Sequence, residues 1–115
     1  MARAWYTRSE HCPEEPILTT LFGVIDLFAG PGGLGEGFAS VRRDGVSSFR
    51  LACSVEKEAS AHRTLTLRSF LREYRSRHDD ALPQEFLDFH AGRIEEPDWS
   101  VVDIDAWKHA RNEAL

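Results

Sequence analysis

Cysteine is scarce in this sequence of 115 residues, with only Cys12 and Cys53 present. Two isolated thiols build no disulfide framework and match no zinc spacing, which points to a reducing compartment. His11-Cys12 beside Pro13 has no second cluster to complete a ligand set, so no metal site is expected. Long apolar runs are lacking as well. No uninterrupted segment approaches the ~20 apolar residues of a membrane span. The N-terminus, with Trp5, Tyr6, Glu10, Glu14 and Glu15, has no signal-peptide core. A cytoplasmic location without a membrane partner is therefore expected. An excess of positive charge is missing too: the net charge is −5, which gives no general attraction to nucleic acid while permitting a local basic strip. The length suits one small domain with its own core, and no internal repeat or low-complexity tract is visible.

Residues 1–20 read as a poorly ordered leader, since the stretch up to Pro16 is polar, carries two prolines and shows no period. Phe22 to Leu27 is short and apolar, the pattern of a central parallel strand buried on both faces. After a knot of glycines, Leu34, Phe38 and Val41 fall at i, i+4, i+7, which predicts a helix with Arg42 and Arg43 in its last turn and Gly45 at its C-terminal end. Phe49, Leu51, Cys53 and Val55 alternate with Arg50, Ala52 and Ser54, a second strand ending at Glu56. A longer helix is expected from Ala59, with Leu67, Phe70, Leu71 and Tyr74 as its buried face. Arg68, Arg72 and Arg75 form a basic stripe beside that face; a phosphate contact is conceivable, and a solvated face is the simpler reading. A short helix after Pro83 buries Phe86, Leu87 and Phe89. Ser100 reads as the cap of a last helix, with Ile104, Trp107, Ala110 and Ala114 in helical spacing up to Leu115. No stop signal follows, so the sequence is expected to be cut in mid-pattern.

The chain is organised around the stretch from Val24 to Phe38, in which an apolar run ends in Asp26-Leu27-Phe28, bends through glycines and re-emerges as a helix. Glycines let the backbone approach a ligand closely, and the following helix adds the positive end of its dipole. This is the first strand, loop and helix of a nucleotide-cofactor fold. Gly30-Pro31-Gly32-Gly33-Leu34-Gly35 satisfies G-x-G-x-x-G, and Glu56 stands about where an acid binds ribose hydroxyls, so an NAD-binding oxidoreductase domain is one reading. Two features favour another cofactor. Asp26 places a carboxylate before the first glycine, which suits a cationic amino-acid end better than a pyrophosphate. Pro31 removes one N–H from a loop that phosphates would need.

The string Asp26-Leu27-Phe28-Ala29-Gly30-Pro31-Gly32-Gly33-Leu34-Gly35-Glu36-Gly37-Phe38 closely resembles the first motif of DNA cytosine-5 methyltransferases. Ser54-Val55-Glu56-Lys57 and Ala61-His62-Arg63-Thr64-Leu65 resemble that family's second motif and the helix after it, so the likeness covers roughly Val24 to Leu65. It implies S-adenosylmethionine as the cofactor, with Asp26, Phe28, Ala29, Gly30, Pro31, Gly32, Gly33, Glu56 and Lys57 in contact with it. Phe28 would lie near the sulfonium, an aromatic-to-cation contact. Gly30, Gly32 and Gly33 would let the backbone meet the methionine part, and Glu56 would accept both ribose hydroxyls. Lys57 stands where family members often place an apolar or aromatic residue against the adenine.

The family's nucleophile is a cysteine in a Pro-Cys motif, which adds to cytosine C6 and activates C5. Here the only such neighbours are Cys12-Pro13, in reversed order, and Cys53 lies within a strand where a thiol is inert. No catalytic residue is therefore expected, nor any region to receive a flipped base. The acid that would read the adenine amino group is not identifiable; Asp103 and Asp105 qualify only by position. The resulting expectation is an incomplete α/β Rossmann-like methyltransferase fold, of parallel strands with flanking helices and a helical C-terminal part. Residues 21–115 form the N-terminal part of a catalytic domain and carry the cofactor half-site. The whole enzyme would methylate C5 of cytosine in duplex DNA in a restriction–modification setting, with DNA as its partner and a second chain able to complete the domain. A non-enzymatic remnant or accessory subunit stays open beside the NAD reading.

Overall fold

The structure, a computed structural model, describes residues 21–115. The expected leader, with His11 and Cys12, lies outside those residues. The described chain is a mixed α/β unit. Its elements run β1 (Phe22–Asp26), α1 (Gly33–Ser40), β2 (Arg42–Arg43), β3 (Val46–Ser47), β4 (Phe49–Ser54), α2 (Ala59–Arg77), α3 (Gln84–His90), α4 (Trp99–Val102) and α5 (Ile104–Glu113). β1 and β4 pair in parallel, from Phe22 opposite Phe49 to Asp26 opposite Ser54, with a bulge that leaves Ala52 unmatched between the Val24–Leu51 and Ile25–Cys53 pairs. The short parallel sheet and its flanking helices are compatible with part of a Rossmann-like fold.

β1 is not buried on both faces as its composition suggests. Phe22, Ile25 and Leu27 are exposed, because only β4 pairs with β1 among the described residues. The helix after the glycines also differs from its apolar stripe. Leu34 and Val41 are exposed, and the face turned to the sheet carries Gly35 and Phe38. A Cβ on Gly35 would stand 3.0 Å from Leu51 Cδ1, so the missing side chain lets α1 settle onto β4. Phe38 completes the contact edge-on to Phe49, with ring centroids 5.1 Å apart.

Arg42 and Arg43 do not end α1; they form β2, which folds back on β3 through Asp44-Gly45. Both turn residues have positive φ (52° and 77°), the geometry of a type I′ hairpin turn. The Asp-Gly pair is thus a hairpin signal and not a helix stop.

α2 follows Glu58, whose carboxylate caps it by accepting the N–H groups of Ser60 (3.0 Å) and Ala61 (2.6 Å). Its face carries Phe70, fully buried with Trp99, Ala106 and Ala110, against which Leu67, Leu71, Tyr74, Phe86 and Phe89 pack. The expected inward Leu87 is instead exposed, since α3 turns only Phe86 and Phe89 to the aromatic core. Ser100 is not a cap. Asp98 accepts its N–H at 3.0 Å and starts the single turn of α4, and Asp103 restarts the chain as α5 by accepting from Asp105 and Ala106 (3.0 and 2.9 Å). Helical spacing also does not run to Leu115. α5 stops at Glu113, and Ala114 bridges Ser54 in parallel, so Ala114-Leu115 lies extended beside β4. No helix among the described residues is long and apolar enough to cross a membrane, and no group of three or more His, Cys, Asp or Glu side chains there is placed to hold a metal.

Two cap substitutions test the restart at Asp103. Asp103→Ala is expected to lower stability in urea unfolding by about 1 kcal/mol, and Ser100→Ala by clearly less, because only the first removes a helix cap. Equal losses would contradict the assignment.

Candidate functional site

β1 ends where Asp26 turns the chain. Its carboxylate accepts the Phe28 N–H at 3.3 Å, and its carbonyl accepts the Val55 N–H at 2.7 Å. Val55 returns the contact, its carbonyl accepting the Ala29 N–H at 3.0 Å. The bend after β1 is thereby laced to the segment after β4. That lacing carries Glu56 to the glycines, where Gly30 donates its N–H to Glu56 Oε2 at 2.7 Å and Glu58 donates to Oε1 at 2.8 Å. The backbone of Glu56 is held as well, its N–H donating to the Leu115 carbonyl at 2.9 Å.

The glycines earn their places by geometry. Gly30 and Gly32 sit at φ +54° and +93°, a region that favours glycine. At Gly32 a Cβ would also come within 2.9 Å of Leu65 Cδ1 on α2. Leu65, Ala29 and Ala114 form a small buried cluster beneath the bend.

The donors of the bend are mostly spent. Ala29 and Gly30 give theirs to Val55 and Glu56, Pro31 has none, and Gly32 donates to the Ala29 carbonyl at 3.0 Å. The free donors are the first amides of α1, those of Gly33, Leu34 and Gly35, which find no acceptor among the described residues; no side chain caps this helix. Phe28, at the start of the bend, has 94% of its surface exposed, which is unusual for a large aromatic residue. Asp26 is half-buried, while Pro31 and Lys57 are exposed. Asp26, Phe28–Gly33 and Glu56–Lys57 therefore lie at or just beyond the C-terminal ends of the parallel strands β1 and β4.

Hydrogen bonds from the Glu58 and Gly30 amides hold the Glu56 carboxyl below the usual carboxylate range, with smaller help from the Lys57 amide and His62. Elsewhere the positional candidates carry other duties. Asp103 is occupied as the α5 cap and by His78, whose Nε2 lies 3.0 Å from Oδ2. Cys53 is a free, half-buried thiol rather than a fully buried one. One stripe escaped the sequence reading: Leu65, Ser69 and Arg72 at i, i+4, i+7 of α2. Leu65 and Ser69 are buried, and Arg72, expected on a solvated face, is half-buried and paired with Glu36 and Glu113. The available signal was a second, less apolar stripe at helical spacing.

Over 64 residues the chain is 41% identical to a type II methyltransferase, M.Bpa9945I, of Bacillus paralicheniformis. That similarity supports a methyltransferase. It covers 56% of this chain and 13% of the relative, so the chain spans a small part of that protein's length. No family model matches the sequence, and no solved structure does.

Because the folded Glu56 carboxyl titrates below its unfolded counterpart, its contribution to stability is complete above the unfolded value and fades as pH falls through the lower folded one. The Gly30 amide resonance is expected to stay constant from neutral pH down to the ordinary carboxylate range and to move only below it. Movement between pH 6 and 8 would contradict the contact. Gly32→Ala is expected to cost about 1–2 kcal/mol or more in chemical unfolding, from the positive φ and the Leu65 clash. A neutral result would show that the bend relaxes freely.

Proposed function

We propose that residues 24–57 bind S-adenosylmethionine and form the cofactor half-site of a DNA cytosine-5 methyltransferase. The observation that carries this reading is the Glu56 carboxylate seated on the glycine bend, 2.7 Å from the Gly30 amide. Each of its oxygens accepts one backbone N–H and keeps a further lone pair for a ribose hydroxyl. The free amides of Gly33, Leu34 and Gly35 offer donors to the carboxylate of the methionine part. Phe28 supplies an unoccupied aromatic face for a sulfonium. Asp26 adds a carboxylate for the amino group, and Lys57 borders the adenine position. The cofactor brings the activated methyl group; these side chains bind and orient it. Similarity to a protein named a type II methyltransferase supports the reading, as does the long string from Asp26 to Phe38.

The nucleophile and the DNA-reading surface belong, in this proposal, to sequence beyond these residues or to a second chain that completes the domain. Duplex DNA is the partner of that whole enzyme, with restriction–modification as its setting. Against NAD stand Asp26, a carboxylate ahead of the first glycine, and Pro31, which removes one N–H from the loop.

Calorimetric titration of the chain decides between the cofactors. S-adenosylmethionine is expected to bind and NAD not to, with Glu56→Ala weakening the first by about tenfold or more, the scale of one charged hydrogen bond. Binding of NAD alone would overturn the proposal. Labelled methyl groups should not pass from S-adenosylmethionine to DNA on the 115-residue chain; their transfer would overturn the assignment of the nucleophile elsewhere.

A further inference from the structure

The half-site has two arms, joined directly by the Val55–Asp26 and Ala29–Val55 backbone contacts and the Gly30–Glu56 bond, and joined a second time through α2. One arm is α1 with the glycine bend before it. The other is Glu56, whose backbone N–H rests on the carbonyl of Leu115, two residues after the end of α5. Between them stands Arg72 of α2. One terminal nitrogen, Nη1, pairs with Glu36 in the first turn of α1; the other, Nη2, pairs with Glu113, the last residue of α5. Glu113 keeps only 5% of its side-chain surface exposed. A carboxylate buried so far needs a charged partner, and Arg72 is the closest one. His109 adds a second contact to Glu113 at 3.4 Å, and Glu73 stands 3.6 Å from the same imidazole. The planar guanidinium can engage two carboxylates at once in a fixed geometry, which an ammonium cannot.

We infer that Arg72 is a positioning residue that couples the two arms of the cofactor site. By holding Glu36 it fixes the rotation of α1 and so the course of the bend that presents Gly30. By holding Glu113 it fixes Ala114-Leu115, and through the Leu115 carbonyl it sets the backbone of Glu56. The bond between Gly30 and the Glu56 carboxylate is then the point where the two arms meet. Gly32 packed on Leu65, two turns before Arg72 on the same helix, gives the bend a second seat on α2. As a statement about binding, this inference rests on the S-adenosylmethionine reading; as a statement about coupling, it does not.

The experiment measures amide hydrogen exchange in the cofactor-free 115-residue chain. Glu36→Gln and Glu113→Gln each loosen one arm and leave Arg72 in place. Coupling through Arg72 predicts crosstalk that an Arg72→Lys background abolishes; crosstalk carried by the direct Ala29–Val55 and Gly30–Glu56 bonds would survive there, and its survival would overturn the inference. Glu36→Gln speeds exchange at the Glu56 amide, and Glu113→Gln speeds it at the Gly30 amide, each by about fivefold, the lower range of site-to-site coupling. Amides within β1 and β4 stay unchanged. Effects confined to each variant's own arm would overturn the inference, and so would a uniform rise at all amides, which marks global loss of stability. Glu36→Asp, which keeps the charge, is expected to restore part of the protection at Glu56. Calorimetry on the same variants reads the other question. Failure of the unmodified chain to bind S-adenosylmethionine removes the cofactor reading, while the crosstalk still reports on Arg72.

Discussion

A carboxylate that closes a glycine bend 26 positions upstream is the constraint on which this structure depends. Glu56 lies two residues beyond the end of β4, and parallel pairing with β1 alone would leave it only near the bend. Two reciprocal backbone contacts, Val55 to Asp26 and Ala29 to Val55, bring the segments into step. The side chain then takes the Gly30 amide and removes an unpaired donor that a sharp turn would otherwise leave. An ionised carboxylate accepts but does not donate, so its remaining lone pairs can serve only donors such as hydroxyl or amino groups.

Close approach does the rest of the assembly. Gly32 admits Leu65, and Gly35 admits Leu51, so the bend settles on α2 and α1 settles on β4 at two positions that lack a side chain. The aromatic core formed by Phe70, Trp99 and their neighbours sits apart, between α2 and the C-terminal helices, and gives α2 a fixed seat. Helix α2 is thus the shared wall: one face holds the aromatic core, and the stripe from Leu65 to Arg72 holds the bend and the charged junction. Apolar residues left bare on β1 and at Phe28 mark the side that the described residues do not cover.

The parallel strands, the long helix from Ala59 and the glycine bend were legible in the sequence because period and composition agree there. Local chemistry was harder to read where one residue serves two grammars. Asp44-Gly45 follows a helical stripe and passes for a stop signal, yet two adjacent residues at positive φ make a hairpin. Ser100 and Asp103 match a capping box, but carboxylates at Asp98 and Asp103 capture the amides instead. Ala114 keeps helical spacing while its backbone leaves the helix for Ser54, a tertiary preference that no periodicity encodes. Arg72 was assigned to solvent because its partners, Glu36 and Glu113, are 36 and 41 positions away. Glu56 was legible from its spacing after the glycines and from the second motif; its bond to Gly30 depends on the reciprocal contacts of Val55 with Asp26 and Ala29, which no spacing encodes.

The central claim is that this bend and this carboxylate together hold a methyl donor. The most direct measurement is a crystal structure of the chain grown with S-adenosylmethionine. The account predicts ribose hydroxyls within hydrogen-bond distance of Glu56, the Phe28 ring against the cofactor, and the methionine carboxylate at the first amides of α1. A cofactor bound elsewhere, or a Glu56 side chain turned away from an occupied bend, would contradict it.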